Sequence, residues 1–267
     1  MSPDLSLVRS VLFLPASNPR AIGHARESAA DLVVLDLEDA VKPEDKDSAR
    51  TAAVEAVAGE WPMPVAIRLN AIGSEWHSLD IDAVAGSNAD FAVLPRAASG
   101  HLVDQVCEAV SKPLLAMIET AAGVLAAAEI AEECAGLLAG TNDLSADLRL
   151  PPGAGRQPLQ MALQSTVLAA RAANVPVFDG VFNNLEDGSG FESECAEGRA
   201  LGFDGKSLIH PKQIDACNRA FSPSGGEIAR ARQLVEAYGG GAERIEGRMV
   251  ERMHVEAARR LLERARS

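Results

Sequence analysis

A chain of 267 residues, 47% hydrophobic and with a formal charge of −13, can fill one large core but lacks the positive surface that nucleic-acid binding requires. One Tyr, two Trp and seven Phe are too few for an aromatic-rich β-sandwich, and no run approaches the roughly 20 apolar residues of a membrane span. An anionic small-molecule substrate stays open, because a local pocket of arginine and metal charge reverses the field of an acidic surface.

Apolar runs and helical patterns alternate from the start. Residues 11–15 read as a first strand and 19–30 as the helix behind it. A second strand covers 32–38, with a helix over 44–58. Further strands follow at 64–70, 91–95, 114–119, 136–140, 175–179 and 203–210. Most are continuously apolar rather than alternating, the mark of strands buried on both faces and so of a parallel sheet. Tandem strand–helix units of this kind predict an α/β fold, a TIM (β/α)8 barrel with a C-terminal helical extension. The competing doubly wound open sheet usually carries a G-x-G-x-x-G first turn, and Pro15-Ala-Ser-Asn18 is not one. Residues 1–222 are assigned to the barrel and 223–267 to the extension, with helical patterns over 227–238 and 247–265 separated by Gly239-Gly-Gly241. Cys107, Cys134, Cys195 and Cys217 are far apart and form no C-x-x-C pair, so ordinary thiols are expected rather than zinc ligands or disulfides. The N-terminus has no secretory pattern, and a soluble, cytoplasmic protein is expected.

In a β/α barrel the chemistry sits where the strands end. The ends here carry Asp36, Glu38 and Asp39; Arg68 and Asn70; Arg96; Glu119; Asp143; Asp179; and Lys206 with His210. Glu119 and Asp143 are the candidate metal ligands, since two carboxylates suit Mg2+ or Mn2+ and leave positions for water and substrate oxygens. Capping of the following helix is the competing reading for Asp143. Arg68 lies between Ile67 and Leu69 in a buried run, and alternation puts Asn70 on its side of the strand. Such a guanidinium needs an anionic partner, either a substrate carboxylate or the cluster at Asp36, Glu38 and Asp39, and both can hold together. Three acids cannot join Glu119 and Asp143 on one cation without severe repulsion, so the cluster is expected to orient Arg68 and ordered water. His210 precedes Pro211 and either donates a proton or stabilises a turn.

Arg9-Ser-Val-Leu-Phe-Leu-Pro15, Asp36-Leu-Glu-Asp-Ala-Val41, Arg68-Leu-Asn70, Leu94-Pro-Arg96, Ile118-Glu-Thr-Ala-Ala-Gly123, Gly140-Thr-Asn-Asp-Leu144 and the run from Gly202 to Pro211 stand in one order along the chain. In that order they resemble the citrate lyase β-subunit-like proteins of the HpcH/HpaI aldolase superfamily, over residues 9–265. The resemblance implies a Mg2+-dependent carbon–carbon lyase, assembled as a trimer or hexamer, that cleaves or forms 3-hydroxyacyl-CoA thioesters from a 2-oxo acid and an acyl-CoA. It implies Glu119 and Asp143 as metal ligands and Arg68 as a substrate-binding residue. It also implies that the tail carboxylate, here Glu251 in Met249-Val-Glu251, reaches a neighbouring subunit's site as acid or base, with the extension as an intersubunit lid. The candidate set is Arg68, Glu251 and Asp36 for catalysis; Arg68, Glu119, Asn70 and Arg9 for substrate; and Glu119 and Asp143 for metal. This chain departs from the common pattern with Ala16 for Gly, His24 and Arg96 for Lys, Ala98 for an acid, and Glu251 for Asp without the following Pro. Two further readings remain: a CoA-independent class II pyruvate-type aldolase, and a non-catalytic paralogue that binds metal and oxo acid.

Overall fold

The computed structural model describes residues 3–245 and 248–265. Eight parallel strands pair in chain order and close on themselves: β1 (Ser10–Pro15), β2 (Leu32–Asp36), β3 (Val65–Arg68), β4 (Phe91–Leu94), β5 (Leu114–Ile118), β6 (Gly136–Ala139), β7 (Val177–Asp179) and β8 (Gly205–Leu208). Closure comes from the parallel pairing of Ser10 with Lys206 and of Val11 with Ser207. Between the strands run α1 (Pro19–Arg26), α2 (Lys46–Val57), α3 (His77–Ala85), α4 (Gly100–Val110), α5 (Ala121–Leu125), α6 (Ala127–Glu132), α7 (Thr141–Asp147), α8 (Gln160–Ala173) and α9 (Gly188–Leu201). A tenth helix, α10 (Ile214–Phe221), follows β8. The strands thus have the order and type read from the sequence; β1 begins one residue earlier, and the others are trimmed by one or two residues at one or both ends.

Why the strands are apolar throughout is visible in the two cores. Val11, Leu32, Val34, Ala66, Phe91, Val93, Leu115, Met117, Leu138 and Phe178 point inward and fill the barrel, with Leu5 and Val8 closing its N-terminal end. Their strand neighbours, among them Leu12, Val33, Leu35, Ile67, Leu94, Ala116 and Leu137, pack outward against the helices. Neither face meets water, so period-two alternation disappears. Each fully buried Leu, Val or Phe contributes about 1.5–3 kcal/mol relative to exposure.

Polar residues just past the strands begin the next helices. Asn18, Ser99, Thr120 and Asp187 each accept a backbone N–H at the starts of α1, α4, α5 and α9. The turns at the strands' C-terminal ends are thereby fixed, and that end carries the site.

Past the barrel come α11 (Gly225–Ala237), the antiparallel pair β9 (Glu243–Ile245) and β10 (Arg248–Val250), and α12 (Arg252–Arg264). The expected helix over 247–265 is corrected: it begins only at Arg252, because Met249 pairs with Arg244 across the small ribbon. Gly247 lies outside the described residues. Gly240 and Gly241 have φ of 111° and 99°, a left-handed turn into β9. Arg264 anchors α12 at the barrel's N-terminal end through the carbonyls of Val8, Phe221 and Asp204. Among the described residues no helix is long and apolar enough to cross a membrane.

Candidate active site

At the C-terminal end of the strands lies a cavity of about 340 Å3, whose wall includes Phe13, Asp36, Arg68, Met117, Glu119 and Asp143. Inward alternation explains the set. Phe13 follows Val11 by two, Asp36 follows Val34, Arg68 follows Ala66, and Glu119 follows Met117.

Arg68 ends β3 and is 8% exposed. Its Nε and Nη2 donate to Asp36 Oδ1 and Oδ2, both at 2.6 Å, a bidentate pair. Nη1 stands 2.8 Å from Glu38 Oε2 and 3.6 Å from Asp39 Oδ2. Glu38 Oε2 is buried and accepts no hydrogen bond despite that proximity. The guanidinium carbon is 5.5 Å from the centre of the Phe13 ring. Burial opposes the charge on Arg68, but the charge and hydrogen bonds of Asp36, with Glu38 and Asp39 behind it, outweigh that and hold its pKa above the usual value. Asp36 also accepts the backbone N–H groups of Glu38 and Ala40 at 2.8 and 3.1 Å. With both oxygens engaged, Asp36 positions Arg68 and the acidic loop; it is not placed as a free base.

Glu119 follows β5 and is 2% exposed. Its Oε1 accepts the backbone N–H of Arg96 at 2.7 Å. Burial above all, with Asp143 adding repulsion, pushes its carboxyl up to about 7 despite that hydrogen bond. Asp143 lies in the first turn of α7; the N-cap position itself belongs to Gly140, which offers no side-chain hydrogen bond. Its pKa is also raised, by burial first and then by Asp39. A Cβ at Gly140 would collide with the Glu119 carboxylate, so the glycine makes room for the acid. Two acids made costly by burial and like charge are a pair that a cation would relieve. Among the described residues no third His, Cys, Asp or Glu completes a protein-only cage. A two-carboxylate grip with open positions fits Mg2+, which retains water and takes substrate oxygens.

Other expected residues lie elsewhere. Arg9 is corrected: it precedes β1, at the N-terminal end, where Nε and Nη2 donate to Asp31 at 2.8 and 2.9 Å. Asn70 stays at the C-terminal end of the barrel, beside Glu38 and Asp39, but does not line the cavity. β3 stops at Arg68, so alternation no longer aims residue 70; its amide donates to Asp80 at 2.7 Å and accepts from Lys46 Nζ at 2.6 Å. Asp179 and Lys206 face outward, because Phe178 and Ser207 take the inward positions of β7 and β8. Their side chains pair at 3.1 Å, and Arg156 and Glu194 join them in a buried network against α9. His210 Nδ1 accepts the Lys212 N–H at 3.1 Å, a turn stabiliser. Glu251 is exposed at the start of α12 and does not line this chain's cavity.

Two contributors had no role assigned from the sequence: Lys46 was not singled out, and Arg96 stood only among the charged strand ends. Lys46 Nζ, buried in α2, donates to the carbonyls of Leu37 and Glu38 at 2.7 Å and so holds the acidic loop. Arg96 meets both Glu119 and, at 3.7 Å, Asp143. An inward-facing phase, counted back from Glu119, would have found Met117.

The acidic loop gives a pH signature. Burial, reinforced by Asp39, Glu119 and Asp36 against the pull of Arg68, pushes Glu38 from 4.5 to about 8. The folded protein therefore holds a proton that the unfolded chain has released. This group's stabilising contribution is complete below about pH 4.5 and is lost as pH rises through about 8. Glu38→Gln removes the titration, so its unfolding midpoint is expected to fall less than the parent's between about pH 5 and 8. Identical slopes in thermal melts of the two proteins would rule this out.

Acids set against a buried guanidinium at the C-terminal end of a barrel are placed to handle a small acidic substrate. Residues 9–211 match the model of the HpcH/HpaI aldolase/citrate lyase family, and residues 158–267 that of the C–C bond lyases of the TIM-barrel fold. The chain belongs to the HpcH/HpaI aldolase/citrate lyase family. It is 40% identical to a (3S)-malyl-CoA thioesterase of Cereibacter sphaeroides, over 96% of this chain and 94% of that one. Identity to the citrate lyase β subunit of Escherichia coli is 34%, over 96% and 93%. The CitE protein of Mycobacterium tuberculosis, solved with magnesium, acetoacetate and coenzyme A, superposes with a TM-score of 0.88 at 33% identity, covering 98% of this chain and all of that one.

Proposed function

We propose that this chain cleaves or forms a 3-hydroxyacyl-CoA thioester of the citryl-, malyl- or citramalyl-CoA type, exchanging it with a 2-oxo acid and an acyl-CoA. The observation that carries this reading is one cavity shared by Glu119, Asp143 and Arg68. A Mg2+ or Mn2+ ion held by Glu119 and Asp143 would supply Lewis-acid polarisation of the substrate's hydroxyl and adjacent carboxylate oxygens. Arg68, held still by Asp36, keeps a fixed positive charge against that carboxylate while the bond breaks. The hydroxyl gives its proton to solvent water as the bond to the α-carbon of the thioester breaks, the hydroxyl carbon becomes the carbonyl of the 2-oxo acid, and the electron pair moves onto the α-carbon, which then takes a proton. Glu251 stands outside its own chain's cavity, so the returning proton is assigned to Glu251 of a neighbouring copy in a homotrimer or hexamer. Four unpaired cysteines favour a reducing cytoplasm.

A second reading, thioester hydrolysis, is favoured by the 40% identity to a malyl-CoA thioesterase. The two differ in products. A panel of hydroxyacyl-CoA thioesters incubated with Mg2+ and read by mass spectrometry is expected to give a 2-oxo acid plus a shortened acyl-CoA. A hydroxy acid plus free CoA would establish the hydrolase instead, and unchanged thioesters throughout would defeat both.

A further inference from the structure

Arg96 touches both acids of the pair. Its backbone N–H donates to Glu119 at 2.7 Å, and its guanidinium Nη1 lies 3.7 Å from Asp143 Oδ1. The backbone at Arg96 is left-handed, with φ 51°, a conformation that costs a residue with a Cβ about 1 kcal/mol. The turn is held there from both sides. Ala97 N–H donates to the Met117 carbonyl at 3.2 Å, and Gly123 packs so closely on the Ala97 carbonyl that a Cβ there would collide with it. A rigid backbone therefore carries a loose side chain, for the guanidinium is half exposed and, among the described residues, meets only Asp143. Arg68 is its opposite, clamped by three carboxylates and 8% exposed.

Resting on the metal reading above, we propose that Arg96 is a built-in counter-ion of the acid pair. Without a divalent ion its charge offsets that of Asp143. An ion entering between Glu119 and Asp143 displaces it, and the freed guanidinium turns to the anionic group of the substrate at the rim. Arg96 therefore weakens metal binding and strengthens oxo-acid binding to the loaded site, so the ion and the anion bind in that order.

The test is calorimetric titration of the full chain with Mn2+, followed by titration of the loaded protein with pyruvate. Arg96→Gln keeps the backbone N–H on Glu119 and removes the charge; Arg96→Lys keeps the charge. Arg96→Gln is expected to bind Mn2+ about three- to tenfold tighter, the scale of losing one partly screened cation, and pyruvate more weakly by a similar factor. Arg96→Lys should stay near the parent in both. Unchanged or weaker Mn2+ binding by Arg96→Gln overturns the counter-ion, and unchanged pyruvate binding overturns the release to substrate. Glu119→Gln is the control: if it binds Mn2+ as the parent does, the metal assignment itself is wrong and this inference falls with it.

Discussion

Glu119→Gln is expected to lower Mg2+-dependent turnover by a factor of about 1000 or more, with little loss of stability. Gln has nearly the same shape, and its amide oxygen can accept the Arg96 N–H that Glu119 accepts at 2.7 Å. What disappears is the charge. The buried carboxyl, pushed up to about 7, carries a cost that only a bound cation repays, so removing it relieves the empty site and disables the loaded one. A calorimetric titration should show Mg2+ binding lost, and steady-state assays should show the fall in kcat/KM. A loss smaller than about tenfold would place the ion on other ligands. Mixing this variant with Glu251→Gln separates the roles further. Hybrid oligomers would contain some sites with an intact acid pair and an intact neighbouring tail, and activity recovered on mixing would establish that the tail serves the adjacent copy.

How much of this was legible depends on which physical signal each residue carries. The strands were readable because burial on both faces leaves an unbroken apolar run, as at 32–36 and 114–118. Glu119 was readable because a carboxylate closing such a run cannot be a solvated surface group. Direction was harder. Asp179 and Lys206 end or occupy barrel strands as Glu119 does, but they have the opposite phase, and in β7, only three residues long, the phase has little sequence to declare itself. Arg9 stands before β1 rather than after it, which position in the strand alone decides. Asn70 sits beyond the last paired residue of β3, where period-two reasoning ends. Arg96 depends on a left-handed backbone that no local composition announces; the glycine that makes it fit is Gly123, in another strand–helix unit. The β9–β10 ribbon was missed because three-residue strands fall below the length at which alternation can be counted.

Asp36→Ala is expected to cost about 3 kcal/mol of stability and to remove most activity, because it withdraws the bidentate partner of a buried guanidinium. Breaking a buried ion pair from one side typically costs about 3–5 kcal/mol. The low end applies here, since Glu38 at 2.8 Å and Asp39 at 3.6 Å still face Arg68. Loss of the Asp36 charge also removes one of the repulsions that raise Glu38, so Glu38 ionises more readily and compensates in part. A barrel of this length would lose about 6–12 °C in unfolding midpoint. Activity should suffer more than stability. Asp36 accepts the N–H groups of Glu38 and Ala40 as well, so the truncation frees both the guanidinium and the loop that bounds the cavity. Asp36→Asn separates the two contributions: its amide oxygen can still accept from the loop, while its NH2 group faces the Arg68 donors without a charge. If the Asn variant keeps the parent's melting temperature and kcat/KM, the bidentate pair neither orients Arg68 nor stabilises the mouth. A variant that melts normally but turns over slowly would assign the pair to orientation alone.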